Sequence, residues 1–479
     1  MKRLDARDAV MLYCESPNLH MHTLKVAVVK LDEDLRDFDI EGFREVIRGR
    51  LHKLEPLCFQ LVGIPFKFHY PMWRERCFVD LTYHIRPWRL PAPGGRRELD
   101  EAIGAIASTP LDRRRPLWEM YFVKGLADNR IAVVGKIHHA LVDGVAAANL
   151  MAVAIDLLPG SEEGRYIPDP APTKRELIRL ACADHLRQAR RIPRTISYSV
   201  QGLTRVRRSS RKLSEMLSRP LAPLPTFMNH LVTSPERRFA ATTLALADVK
   251  QTANHLGVTI NDLVLAMSTG ALRTLLLRYD GKADRLVAVI PIGIDFSVDR
   301  VSGNFADGLS VTLPVDLEDP LERVRHCREG AILAKERQRL RGPKLVSSWL
   351  MYTPPMVAEV FGRLASKRKA VSRMANLTIS NVRGPFERRG RVGGGLVTEV
   401  YSVGPLVPCC GLNITVWSYV DQLNISVLTD DATVEDPHEV TAAMAAEFVE
   451  IRRRAGLSGQ LTVLATAMAP AELAVESTG

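Results

Sequence analysis

No stretch of this 479-residue chain reaches the ~18 consecutive apolar residues that a membrane-crossing helix requires, so none is expected. The opening residues, Met1 to Asp8, carry mixed charge and lead into no apolar segment of the kind a secretory signal contains. Cysteine is scarce. The seven (Cys14, Cys58, Cys77, Cys182, Cys327, Cys409 and Cys410) include no C-x-x-C pair, and adjacent Cys409 and Cys410 are poorly placed to bridge each other. That excludes a disulfide scaffold and favours reduced thiols packed as small hydrophobes. A G-x-S-x-G elbow, an H-E-x-x-H pair, a zinc finger and an RNA-recognition signature are all missing. With 46% hydrophobic and 25% charged residues, a wholly disordered chain and a collagen-like fibre are also excluded.

The net charge is +11, and its excess is local. Residues 174–220 hold thirteen Lys and Arg against three acidic residues, so the rest of the chain is close to neutral. Leu177, Leu180, Leu186, Ile192, Ile196, Val200 and Leu203 interleave the arginines in a partly helical rhythm. This pattern suits a solvated helical connector or an amphipathic helix at a membrane interface. No reading module accompanies it, so nucleic acid is not an expected partner.

Apolar periodicity organises the chain as α/β. Strands are expected at 23–31 and 131–137, with helices at 40–54 and from Gly144 to Leu158. Prolines 168, 170 and 172, the basic stretch, and prolines 220, 223 and 225 mark a boundary. The expected division is therefore 1–165, a basic helical linker 166–225, and 226–479. In the second half, helices are expected at 246–256, from Ile260 and at 440–452. Strands are expected at 286–291, 377–379, 395–403, 412–417 and 423–428. A further apolar run covers 345–352 and continues to Phe361; it could line a tunnel, meet a membrane or form ordinary core.

The motif that carries chemistry is Lys136-Ile137-His138-His139-Ala140-Leu141-Val142-Asp143-Gly144, at the exit of an expected buried strand and before a helix. A neutral imidazole can take a proton from an alcohol or amine as that group attacks a carbonyl. Successive side chains on an extended segment face opposite ways, so only one histidine reaches a substrate and the other supports the site. Asp143 could pair with a buried arginine and hold the loop, and Gly144 permits a tight turn. A zinc site on His138, His139 and Asp143 is the weaker reading, because adjacent histidines diverge. Two structural histidines are the plainest alternative.

At these residues the chain resembles the bacterial wax ester synthase/acyl-CoA:diacylglycerol acyltransferase family. That family lies within the wider HHxxxDG acyltransferases, which include chloramphenicol acetyltransferase and peptide-synthetase condensation domains. The resemblance rests on the opening Arg3 to Ala9 with Glu15 and Met21-His22, on Pro116-Leu117-Trp118-Glu119, and on the heptad. It continues through Asn261-Asp262 with Gly270 to Arg273, Gly303-Asn304, and Ser380-Asn381-Val382 with Gly384-Pro385. The chain departs from the pattern at Ile290 to Asp295, which lacks the usual Ser and Arg, and at Arg383, where the family often has Pro.

The resemblance implies an α/β fold of two chloramphenicol-acetyltransferase-like domains with mixed sheets and an active-site tunnel at their interface. It implies transfer of a long acyl chain from acyl-CoA to diacylglycerol or a long-chain alcohol, with His139 as general base, His138 beside it and Asp143 mainly structural. Gly144, Asn261, Asp262, Ser380 and Asn381 are the expected substrate-binding positions. No metal or organic cofactor is expected, acyl-CoA being a substrate. The expected location is the cytoplasm, with peripheral attachment to the inner membrane face or a lipid-droplet surface. Two other readings stay open: a polyketide or peptidyl acceptor, and an inactive acyltransferase fold that binds lipid surfaces.

Overall fold

The computed structural model describes residues 1–35, 37–157, 166–213, 224–297, 299–341, 349, 352–367, 375–385 and 387–471. Two six-stranded sheets carry the fold. In spatial order the first contains Arg391–Val392, Gly395–Val403, His22–Lys30, Arg130–His138, Trp118–Leu126 and Ile85–Arg89. Its neighbours are antiparallel except Ile85–Arg89, which runs parallel to Trp118–Leu126. The second contains Ala306–Leu313, Leu286–Gly293, Leu377–Arg383, Leu412–Tyr419, Gln422–Asp430 and Arg237–Ala245, with Leu377–Arg383 parallel to both its neighbours. Both sheets are therefore mixed.

The strand His22–Lys30 is buried along its length up to Lys30, because helices cover both faces of its sheet. Ala27 and Val29 meet Phe43 and Ile47 of helix Ile40–Arg50 on one side. Leu24, Val26 and Val28 meet Leu99 and Ile103 of helix Arg96–Ala107 on the other. Each of the Val, Leu, Ile and Phe side chains contributes roughly 1.5–3 kcal/mol when fully buried. In the second half, helix Ile260–Tyr279 is long and apolar enough to cross a bilayer, yet most of it is buried in the core against the second sheet.

A division of the chain at 226 does not separate the two sheets. Residues 391–403 lie far into the second half, yet their hairpin completes the first sheet, with Val400 opposite Ala27 and Ser402 opposite Lys25. Alternating apolar residues announce a strand but not its partner. The expected linker is also more than a connector. It contains the 40-residue helix Lys174–Leu213, whose Leu177 and Ala181 pack on Ile64 and Met72. Its Asp184 accepts hydrogen bonds from Arg3 at 2.6 Å and pairs with His69 at 3.0 Å. Of the apolar run 345–352, only Trp349 and Tyr352 fall among the described residues, and helix Pro355–Lys367 follows.

Candidate active site

The heptad sits where the first sheet meets the second half of the chain. Arg130–His138 ends at His138, whose partner across the ladder is His22. The His139 backbone N–H donates to the Met21 carbonyl at 2.8 Å, so the chain stays extended for one further residue. The two histidine rings therefore leave on opposite faces of the sheet. His138 is completely buried. Its Nδ1 accepts from the Ala140 backbone N–H at 3.0 Å, and its Nε2 lies 3.6 Å from Glu15 Oε1. Burial would raise the Glu15 pKa, but His138 and Arg113 outweigh it and hold the carboxyl far below the usual carboxylate range. His138 thus locks the strand end to the N-terminal segment.

His139 keeps solvent contact. Its Nδ1 lies 3.2 Å from the Asn304 amide, and the ring also bonds its own main-chain carbonyl. Burial at the base of the site pushes its pKa down to about 4, and the nearby Lys25 charge acts in the same direction. Lys25 lies on the neighbouring strand and shares the sheet face of His139. Its Nζ donates to Thr23 Oγ1 at 3.1 Å and Ser402 Oγ at 2.5 Å, and burial lowers its pKa to about 7.

Asp143 holds the loop together. Its Oδ1 accepts from the Ala146 backbone N–H at 2.8 Å, capping helix Gly144–Ala154. Arg300 Nη2 donates to both carboxylate oxygens, at 2.9 and 3.0 Å, and the Phe305 N–H donates to Oδ2 at 2.8 Å. Gly303, at φ +85°, accepts from the Asp143 N–H at 3.2 Å and donates to the Leu141 carbonyl at 2.7 Å. The segment 300–305 is thereby pinned to the heptad, which also sets Asn304 against His139. The other predicted positions divide. Gly144 abuts Val382: a Cβ on it would stand 3.0 Å from Val382 Cγ2. This brings the strand end carrying Ser380 and Asn381 to the heptad helix. Asp262 instead forms a capping box with Thr259, with bonds of 2.8, 2.9 and 3.2 Å at the start of helix Ile260–Tyr279. Among the described residues its hydrogen bonds all go to Thr259, and Asn261 lies beside it on the same helix terminus. Arg300, Lys25 and Asp8 were not singled out by sequence reasoning. A lone Arg, Lys or Asp carries no local signal, and only the Gly303-Asn304 motif pointed to this segment.

Two cavities flank the heptad. One is apolar and lies on the Ile137 side, lined by Phe43, Ile47, Trp118, Leu150 and Met151, with Lys25 in its wall. The other borders Ala140, Leu141 and Asn304 and includes Asp8. The cavities border the chain neighbours of His139 on either side and its partner Asn304, and the lowered pKa keeps the ring a neutral base.

The chain matches the wax ester synthase/diacylglycerol acyltransferase catalytic-domain model over residues 4–264 and the WS/DGAT C-terminal-domain model over 302–452. A relative from Mycobacterium tuberculosis, provisionally named a diacylglycerol O-acyltransferase, is 67% identical over 471 residues, covering 98% of this chain and 100% of the relative. A second from that organism, with a similar provisional name, is 31% identical over 464 residues and covers 94% and 97%. Among solved structures, the wax ester synthase/diacylglycerol acyltransferase of Marinobacter aquaeolei superposes with a TM-score of 0.65 at 24% identity, covering 95% of this chain and 100% of that one. The starter condensation domain of rhizomide synthetase, described in complex with C8-CoA, reaches 0.53 at 16% identity with 96% and 95% coverage. The two-domain fold is thus that of the chloramphenicol-acetyltransferase-like enzymes, and the chain belongs to the wax ester synthase/diacylglycerol acyltransferase family of acyltransferases.

Proposed function

We propose that this acyltransferase moves a long acyl chain from acyl-CoA to the hydroxyl of a lipid alcohol, diacylglycerol or a long-chain alcohol, with His139 as general base. The observation that carries the reading is the partly accessible His139 ring, whose chain neighbours Ile137 and Ala140 border an apolar cavity and a second cavity. The apolar cavity has the character an acyl chain needs. General-base action needs the tautomer with its proton on Nδ1, donated to the ring's own carbonyl, which leaves Nε2 with the free lone pair for the reactants. It takes the hydroxyl proton as oxygen attacks the thioester carbonyl, and the imidazolium then protonates the leaving CoA thiolate. Ser380 and Asn381, on the strand end beside Gly144, are candidates to bond the developing oxyanion. Closing the site to water protects the thioester from hydrolysis. The test is labelled acyl-CoA incubated with diacylglycerol, monoacylglycerol, hexadecanol or water. Neutral ester with a lipid alcohol supports the reading, and its absence with every acceptor overturns it.

The pH profile separates this base from an ordinary histidine. Only the neutral ring is active, so kcat/KM is lost as pH falls through the His139 pKa. At about 4, that pKa leaves kcat/KM nearly flat from pH 8 to 5. A histidine at its usual ~6.5 would lose about thirtyfold over the same range. An acid limb near 6.5 would show that the active base is not a ring with this lowered pKa.

A lipid substrate also needs a surface. Helix Pro355–Lys367 packs on helix Ala6–Cys14 so closely that a Cβ on Gly362 would stand 2.7 Å from Tyr13 Cβ. Its Met356, Val357, Val360 and Phe361 are exposed, Phe361 by 67%. Lys67 binds Glu359 at 3.1 Å, which brings the exposed Phe66 alongside. The adjoining helix presents exposed Arg187, Arg190, Arg191 and Arg194, and Trp349 donates to its Ser199 at 2.8 Å. Apolar side chains beside a row of arginines suit an anionic lipid surface. Co-sedimentation with phosphatidylglycerol-containing vesicles is expected for the wild type and reduced at least ~tenfold in Val360→Asp/Phe361→Asp. Equal binding would exclude this face.

A further inference from the structure

We infer that Asp8 forms a polar subsite for a glyceryl ester carbonyl of the lipid acceptor, in the cavity beside Ala140, Leu141 and Asn304. The inference rests on the acyltransfer reading above. Asp8 lies on helix Ala6–Cys14, is 4% exposed, and lines that cavity. Its Oδ1 has no hydrogen-bond partner among the described residues. A buried carboxyl in this state is costly unless something else uses it.

Its neighbours do not neutralise it. Arg7 lies over the Phe305 ring at 5.5 Å, and its Nη1 also lacks a partner. Arg3 is bonded to Asp184, and Lys2 donates to Ser302 Oγ at 3.2 Å. Burial raises the Asp8 pKa well above the usual carboxylate range, and the Asp5 and Asp143 charges add to the rise against Arg7 and Lys2. Burial thus favours the neutral carboxyl, whose O–H can donate.

Position decides what it meets. The cavity borders the two residues that follow His139 and the amide that holds its ring. The apolar cavity on the Ile137 side accounts for the acyl chain, which leaves this one to the acceptor. Phe59, Trp73 and Phe305 make part of its wall apolar; Lys2, Arg3 and Asn304 also line it but are engaged with Ser302, Asp184 and His139, whereas Asp8 Oδ1 has no hydrogen-bond partner among the described residues. A buried donor discriminates against ligands that leave it unpaired. Diacylglycerol offers an ester carbonyl close to its free hydroxyl, whereas a fatty alcohol offers none.

The experiment measures kcat/KM for dioleoylglycerol, its di-ether analogue and hexadecanol. The wild type is expected to favour the diester over the diether about tenfold. Asp8→Leu is expected to erase that preference and lower the dioleoylglycerol-to-hexadecanol ratio about tenfold. Asp8→Asn, which still donates, is expected to keep the preference. Equal use of diester and diether by the wild type overturns the subsite, and this holds even if Asp8→Leu fails to fold. A uniform loss on all three acceptors in Asp8→Leu also overturns it, because a merely structural residue acts that way. If the wild type esterifies no acceptor, the proposed reaction fails and takes the subsite with it.

Discussion

His139→Ala is expected to lower acyl transfer to a lipid alcohol by about 100- to 10,000-fold, the range that a positioned general base contributes. The loss should fall on kcat rather than on the KM for acyl-CoA, because the ring acts on the acceptor proton. Stability should change little. The ring retains solvent contact, and the Asn304 bond is its only side-chain partner among the described residues. Product formation with labelled acyl-CoA reads the first effect, and a urea unfolding midpoint reads the second. An active His139→Ala protein would remove the proposed base, whatever the variant's stability. A variant that loses activity only because it unfolds would show the loss in the midpoint. His138→Ala provides the contrast. That ring is fully buried against Glu15, so its removal acts through the strand end and should appear in the midpoint.

Asp143→Ala is expected to destabilise the protein by roughly 3–5 kcal/mol, the cost of breaking a buried ion pair by removing one partner. The Asp143 carboxylate is 2% exposed and the Arg300 side chain 9%. The substitution removes a helix cap as well as both bonds from Arg300 and the bond from Phe305 N–H. It leaves the guanidinium buried beside the site. Activity should fall too, because segment 300–305 carries Asn304 to the His139 ring. The double variant Asp143→Leu/Arg300→Met should be less destabilised than the sum of the two single variants, since neither charge then stays behind unpaired. An Asp143→Ala protein within about 1 kcal/mol of wild type would mean that water replaces the lost bonds and that the pair does not hold the loop.

Much of the site was legible before any coordinates. His138-His139 at the end of an apolar run implied a strand exit with diverging rings, because the two-residue period of extended chain is local. Asp143 ahead of Gly144 implied a loop residue that could pair with a buried arginine, without identifying that arginine; its role as helix cap was not foreseen. Arg300 is 157 residues away, and local periodicity has no term for such a distance. Asp262 shows the reverse. The Asn261-Asp262 pair reads equally as a helix cap or as a substrate-binding position, and Asp262 closes a capping box with Thr259, a local arrangement readable from the Thr-x-x-Asp spacing alone. The strand 395–403 was recognised, but not that it joins the first sheet rather than the second. Its alternation records only that one face is buried, not which sheet buries it.

By itself, the chain determined that this is an α/β protein of ordinary globular composition with a histidine pair at a strand exit, because local hydrophobic period, turn residues and motif spacing are all short-range properties. Only the tertiary structure decided that His139 rather than His138 meets solvent, that Arg300 and Asn304 arrive from the other half to hold the loop and the ring, and that Asp8 turns its carboxyl into a cavity. Those outcomes depend on which distant segments share a buried volume, and on the low dielectric there, which shifts the proton affinity of His139, Lys25 and Asp8 once water has been excluded.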